Sequence, residues 1–187
     1  MLTATLYSLG ASAFAFLLPV FATQHLDASP VELGWLWSSL GIGMLAASAW
    51  LAWINQGDFQ NRLRLISAAL AVGAVAVCAL GMLQAPVMAA ALIIVFGGST
   101  AVFTPIVWAM LQELTPEPLL GRVFTTFSTG AMASAMAGMA GIGWVADAIG
   151  PAAGLVGIGV VLLGTATFAA AFSRQQPGPT ALNVIPA

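Results

Sequence analysis

The chain has 187 residues, 60% hydrophobic and only 5% charged, with a formal net charge of −2 and a mean hydropathy of +1.02, whereas a soluble domain carries roughly 25% charged residues. Such a surface is not kept in water, so lipid is the solvent, and the absence of lysine and of any basic tract removes the electrostatic footprint that nucleic-acid binding requires. The lone Cys78 offers neither a disulfide framework nor a metal-ligand cluster, so it reads as a small core-filling residue and no metal or other cofactor is expected.

Polar punctuation divides the chain into six apolar runs, at 2–23, 31–54, 64–84, 86–112, 121–147 and 151–172. Each is close to the ~20 residues a helix needs to cross a hydrocarbon core about 30 Å thick. The expected fold is an all-α membrane protein, a six-helix transmembrane bundle over 1–173 with a disordered cytoplasmic tail at 174–187. No positively charged segment follows Met1, so the first run reads as a retained span rather than a leader. Pro19 lies inside that run, where it frees a backbone carbonyl and can kink a helix. His25 and Asp27 fall in the next connection, where a lone histidine is ordinarily solvated. The second run carries Trp35, Trp37, Trp50 and Trp53 near its ends, which suits interfacial anchoring; only Trp37 is deep enough to offer a stacking surface. Gly34, Gly41 and Gly43 suit close packing or a bend.

Pro86 and Pro151 open the fourth and sixth runs, at a helix position where a missing N–H costs nothing. On the fourth run, Thr100, Thr104, Trp108 and Gln112 recur every four residues along one slowly drifting face, and Pro105 lies among them. The fifth run shows Thr125, Thr129, Met132, Met136 and Met139 at intervals of three or four. Gly130, Ser134, Gly138 and Gly141 form a small-residue stripe on its other side, of the kind that lets helices approach closely in lipid. A substrate cavity is mostly apolar with a few placed polar groups, and methionine adapts to varied hydrophobic ligands. Thr100, Thr104, Trp108, Thr125, Thr129, Met132, Met136 and Trp37 are therefore the candidate substrate-binding residues, although Met and Trp at such spacing also serve as plain packing.

Arg62 and Arg64 fall between runs two and three, Arg122 between four and five, and Arg174 after six, while the other connections hold no Lys or Arg. Six alternating crossings put all four cations on one side, which the positive-inside rule makes cytoplasmic, together with both termini. An internal repeat is also expected. Pro19 and Pro30 recur 86 positions later as Pro105 and Pro116, and Gly34 and Gly43 recur 87 positions later as Gly121 and Gly130. A repeat of three crossings must be inverted in its second copy, giving a three-plus-three bundle.

Three stretches resemble a known family. LLPVFATQHLDASPVELGWLWSSLGIGMLAA is similar to the seventh and eighth helices of a major facilitator superfamily transporter. LQELTPEPLLGRVFTTF, with Pro116, Gly121 and Arg122, is similar to its tenth-to-eleventh connection, and GWVADAIG, with Gly143, Asp147 and Gly150, to the end of its eleventh helix. The likeness covers almost the whole chain and is nearest to the bacterial branch of macrolide-efflux-like proteins and the enterobactin exporter. It implies the C-terminal six-helix half of such a transporter in a bacterial inner membrane, with spans four and five facing the central pathway. It departs from the family in two ways: the glycine- and arginine-rich loop motif is reduced to NQGDFQNRLR, and the first six helices, where the resemblance places proton-coupling acids, are absent. Met1 beginning almost inside a helix is what a truncated product or one partner of a split transporter would show.

No ionisable residue is expected at mid-depth: Asp27, Glu32, Asp58, Glu113, Glu117 and Asp147 all fall at run ends, with Glu113 and Glu117 placed to pair with Arg122. The expected function is transport, export of a hydrophobic or amphipathic small molecule of drug or siderophore type. The expected partners are the bilayer and either a missing N-terminal half or a second copy. The alternatives are a non-transporting membrane subunit, or an inactive fragment. An intramembrane serine protease is disfavoured, because GGST at 97–100 is a poor nucleophile motif and His25 lies in a connection. The chain is not read as an enzyme.

Overall fold

The computed structural model describes residues 2–54, 59–83 and 85–175. Among the described residues there are six α-helices: α1 (Leu2–His25), α2 (Pro30–Trp53), α3 (Phe59–Leu80), α4 (Pro86–Leu114), α5 (Leu120–Ile149) and α6 (Pro151–Gln175), with a short 3-10 turn, Glu117–Leu119, ahead of α5. All six are long and apolar enough to cross a membrane. The fold is all-α, a six-helix membrane bundle. From residue 176 onward the expected tail lies outside the described residues.

Local chemistry sets the ends. Ser29 caps α2 in a reciprocal box: its N–H donates to Glu32 Oε2 at 2.7 Å, and the Glu32 N–H donates to Ser29 Oγ at 3.4 Å, with Pro30 opening the helix. Gly150 closes α5 by donating its N–H to the Ala146 carbonyl at 2.9 Å and turns the chain with φ 103°, a conformation that costs glycine little. Pro151 then starts α6.

The largest difference from the expected runs is at the third, where α3 spans Phe59–Leu80 rather than 64–84. Arg62 and Arg64 do not lie in a connection; α3 already begins at Phe59 and both are on its first turns. Leu63 and Ile66 are buried beside them, so the apolar face of α3 starts before its charges end, and the arginines hold their heads at the polar end.

The most deeply buried part of the core is made by four helices, with Leu36 and Leu51 of α2 and Ile142 of α5 at its edges. Phe14, Leu17, Leu18 and Phe21 of α1, Leu70 and Val77 of α3, Ile93 and Ile106 of α4, and Leu155, Ile158 and Leu162 of α6 are almost wholly buried. Ring contacts between Tyr7 and Phe103 and between Phe14 and Phe96 join α1 to α4. On the flanks, α2 packs on α4 and α5 on α1, while α3 and α6 pack together and on α4 and α1 respectively. Exchanging α1 with α4, α2 with α5 and α3 with α6 reproduces these pairings. The exception is that α5 also packs on α6, while α2 and α3 barely touch among the described residues.

Flank contacts turn on single glycines. A Cβ at Gly43 would strike the Ile94 carbonyl, one at Gly97 the Leu40 carbonyl, and one at Gly138 the Leu9 carbonyl. The small-residue stripes are thus narrower in action than their spacing suggests: Gly34, Gly41 and Gly141 have open space around them, and Gly130 makes only ordinary contact with Thr5. Spacing tells which residues share a face, but only the crossing point decides which one is approached.

Candidate substrate pathway

Thr3 of α1, Phe59 and Leu63 of α3, Leu114 of α4 and Phe168 of α6 line one cleft of about 370 Å³. The first turns of α1 and α3 and the last turns of α4 therefore share one end of the bundle, and Arg62, Arg64 and Arg122 lie at that end; nothing is described of the Arg174 side chain. The cleft shares Ala4, Val107 and Phe127 with a smaller cavity of about 80 Å³, further lined by Tyr7, Ser8, Phe103, Thr104 and Trp108. The two hollows adjoin at these shared residues of α1, α4 and α5.

Its polar groups are few. The Tyr7 phenol lies within side-chain hydrogen-bonding reach of Thr104 and Thr100, and Thr100 also donates its hydroxyl to the Gly97 carbonyl at 2.7 Å. A phenol in lipid must find a partner or forfeit its hydration, which explains why α4 presents two hydroxyls to α1 here. The Tyr7 ring meets Phe103 with centroids 3.9 Å apart. Trp108 is 37% exposed and packs on Phe124 at 4.9 Å and edge-on to Phe127 at 5.8 Å. These rings tie α4 to the start of α5.

Of the residues singled out in the sequence, Thr100, Thr104 and Trp108 thus come together, and Tyr7, Phe124 and Phe127 join them. Tyr7 had a signal, as the one tyrosine in the chain; the phenylalanines had none. On α5, Thr125 donates its hydroxyl to the Gly121 carbonyl at 2.8 Å, and Thr129 is exposed. Met132 and Met136 are 71% and 72% exposed, on the side of α5 turned from the Gly138 contact with α1. Trp37 stands on α2, which packs on α4 and not on α5 among the described residues.

Charges sit at the helix ends. Glu113 does not pair with Arg122: Arg62 Nη1 donates to its Oε1 and Oε2 at 2.8 and 2.7 Å, bridging α3 and α4. Arg62 comes within reach because α3 runs out past the apolar core beside the end of α4. His25 stacks on Phe21 with centroids 5.0 Å apart. Asp58 lies outside the described residues.

A family model described as Major Facilitator Superfamily matches residues 1–186. The chain belongs to the Major Facilitator Superfamily. No curated protein and no solved structure matches it. Members of the superfamily are membrane transporters rather than enzymes, and their fold is assembled from six-helix halves.

Proposed function

We propose that this Major Facilitator chain forms one six-helix half of an exporter for hydrophobic or amphipathic small molecules. It acts with a second bundle, supplied by a separate N-terminal half or by a second copy. The observation that carries this reading is the hollow of Tyr7, Thr104, Trp108 and Phe127 adjoining the apolar cleft. Such walls desolvate an apolar ligand, while the hydroxyls and the indole orient it. Thr100, Thr104 and Trp108 are assigned to the inner wall, and Trp37, Thr125, Thr129, Met132 and Met136 to the faces that meet substrate once the second bundle is in place. The exchange symmetry of the helix pairings supports an inverted three-plus-three repeat, in which α1 and α4, carrying Pro19 and Pro105, rock against their flanking helices to give alternating access. The resemblance to the efflux branch supports the direction of transport and a bacterial inner-membrane location with the arginine end in the cytoplasm.

The test is reconstitution in liposomes with a fluorescent hydrophobic drug, with and without a second six-helix half. Drug movement is expected when two bundles are present, and its absence in both arrangements overturns the reading. Within an active assembly, Thr104→Leu combined with Met136→Ala shifts the order of preferred drugs with expression unchanged. An unaltered order removes these residues from the pathway.

A further inference from the structure

A second hollow lies outside the pathway. It is a groove of about 440 Å³ running between α2 and α3, floored by Gly98 and Val102 of α4, with Ala46 and Trp50 on one wall and Ala68 and Val72 on the other. It is open because α2 and α3 barely touch, whereas α5 and α6 pack together at the corresponding place. Val102 and Thr104 are two residues apart, about 200° around the helix, so the groove faces away from the pathway and toward the membrane. Its hydroxyl is already used: Ser99 donates to the Phe96 carbonyl at 2.7 Å. The groove therefore offers water little to bond to.

The groove ends in a different chemistry. Trp50 and Trp53, 50% and 92% exposed, follow Ala46 at helical spacing toward the arginine end. On the opposite wall Arg64 precedes Ala68 by one turn; it is exposed and makes no ion pair among the described residues. An apolar slot flanked by indoles and an exposed guanidinium matches an acyl chain carrying a phosphate headgroup, since indoles settle at the headgroup level and a guanidinium binds phosphate through several N–H groups. We propose that the α2–α3 groove is a binding site for an anionic phospholipid, with one acyl chain over Gly98 and Val102 and the phosphate on Arg64.

The site is independent of what is transported, so it is tested without transport. The full chain in non-ionic detergent is offered phosphatidylglycerol or phosphatidylcholine with identical acyl chains, and bound lipid is counted by native mass spectrometry. Phosphatidylglycerol is expected to be retained over phosphatidylcholine. Arg64→Gln should lower its retention about fivefold, the worth of one arginine near a phosphate surface. Ala68→Leu, which narrows the slot while remaining suited to lipid, should also lower it. Arg122→Gln, at the same end but on α5, should leave it unchanged. Equal retention of the two lipids, an Arg64→Gln chain that binds as before, or an equal loss with Arg122→Gln each overturns the proposal.

Discussion

At the scale of single residues, the bundle depends on where backbone meets backbone. Gly43 and Gly138 each face a carbonyl of the neighbouring helix so closely that a methyl group cannot be inserted without separating the pair. In lipid, where no hydrophobic force draws helices together, that contact is much of what holds a flanking helix in place. Gly43→Ala and Gly138→Ala are therefore expected to destabilise the chain by about 1–3 kcal/mol each, the usual cost of overpacking. Gly41→Ala and Gly141→Ala meet open space and should be neutral or slightly stabilising, because alanine is the better helix former. Thermal unfolding in detergent measures all four. Equal losses across the set would mean that the approach at Gly43 and Gly138 does not hold the flanks. The sequence marked both stripes as small, but nothing in their spacing singled out these two positions.

Between elements, the Arg62–Glu113 pair joins the start of α3 to the end of α4. Its geometry is good, yet the Glu113 side chain is 57% exposed, and an ion pair open to solvent is worth about 0.2–1 kcal/mol. A double-mutant cycle with Arg62→Gln and Glu113→Gln should return a coupling in that range, shrinking as salt is raised. A larger coupling that ignores salt would mean the pair is shielded and acts as a firm clasp. How elements meet is also where sequence reading reached its limit. Six helices were legible because each apolar run matches a bilayer thickness, and the prolines at 86 and 151 mark starts that the structure reproduces. The α3 start was not, because Arg62 and Arg64 looked like loop while Leu63 and Ile66 between and beyond them were already core. Thr100, Thr104 and Trp108 were legible as one face; their partners Tyr7, Phe124 and Phe127 depend on which helices become neighbours, which no local spacing encodes.

At the scale of the whole molecule, the bundle has the surface of a lipid-solvated body. Leu45, Trp53, Met132, Met136 and Trp144 stand open, and the charges gather at helix ends. Arg62, Arg64 and Arg122 share one end, while Asp27, just past the end of α1, and Asp147, in the last turn of α5, belong to the other. That division makes the orientation testable by labelling. In a Cys78→Ala background, Asn61→Cys and Gly121→Cys place thiols at the arginine end, and Asp27→Cys and Asp147→Cys place them opposite, all at exposed positions. Arginines resist translocation, so a membrane-impermeant maleimide should reach the first two only in inverted vesicles and the last two only in intact cells. If all four exchanged sides, the bundle would stand and only its orientation would be reversed. If Asn61→Cys and Gly121→Cys reacted from opposite faces, α3 and α5 could not both begin at one end, and the bundle, its hollow and its lipid groove would fall together.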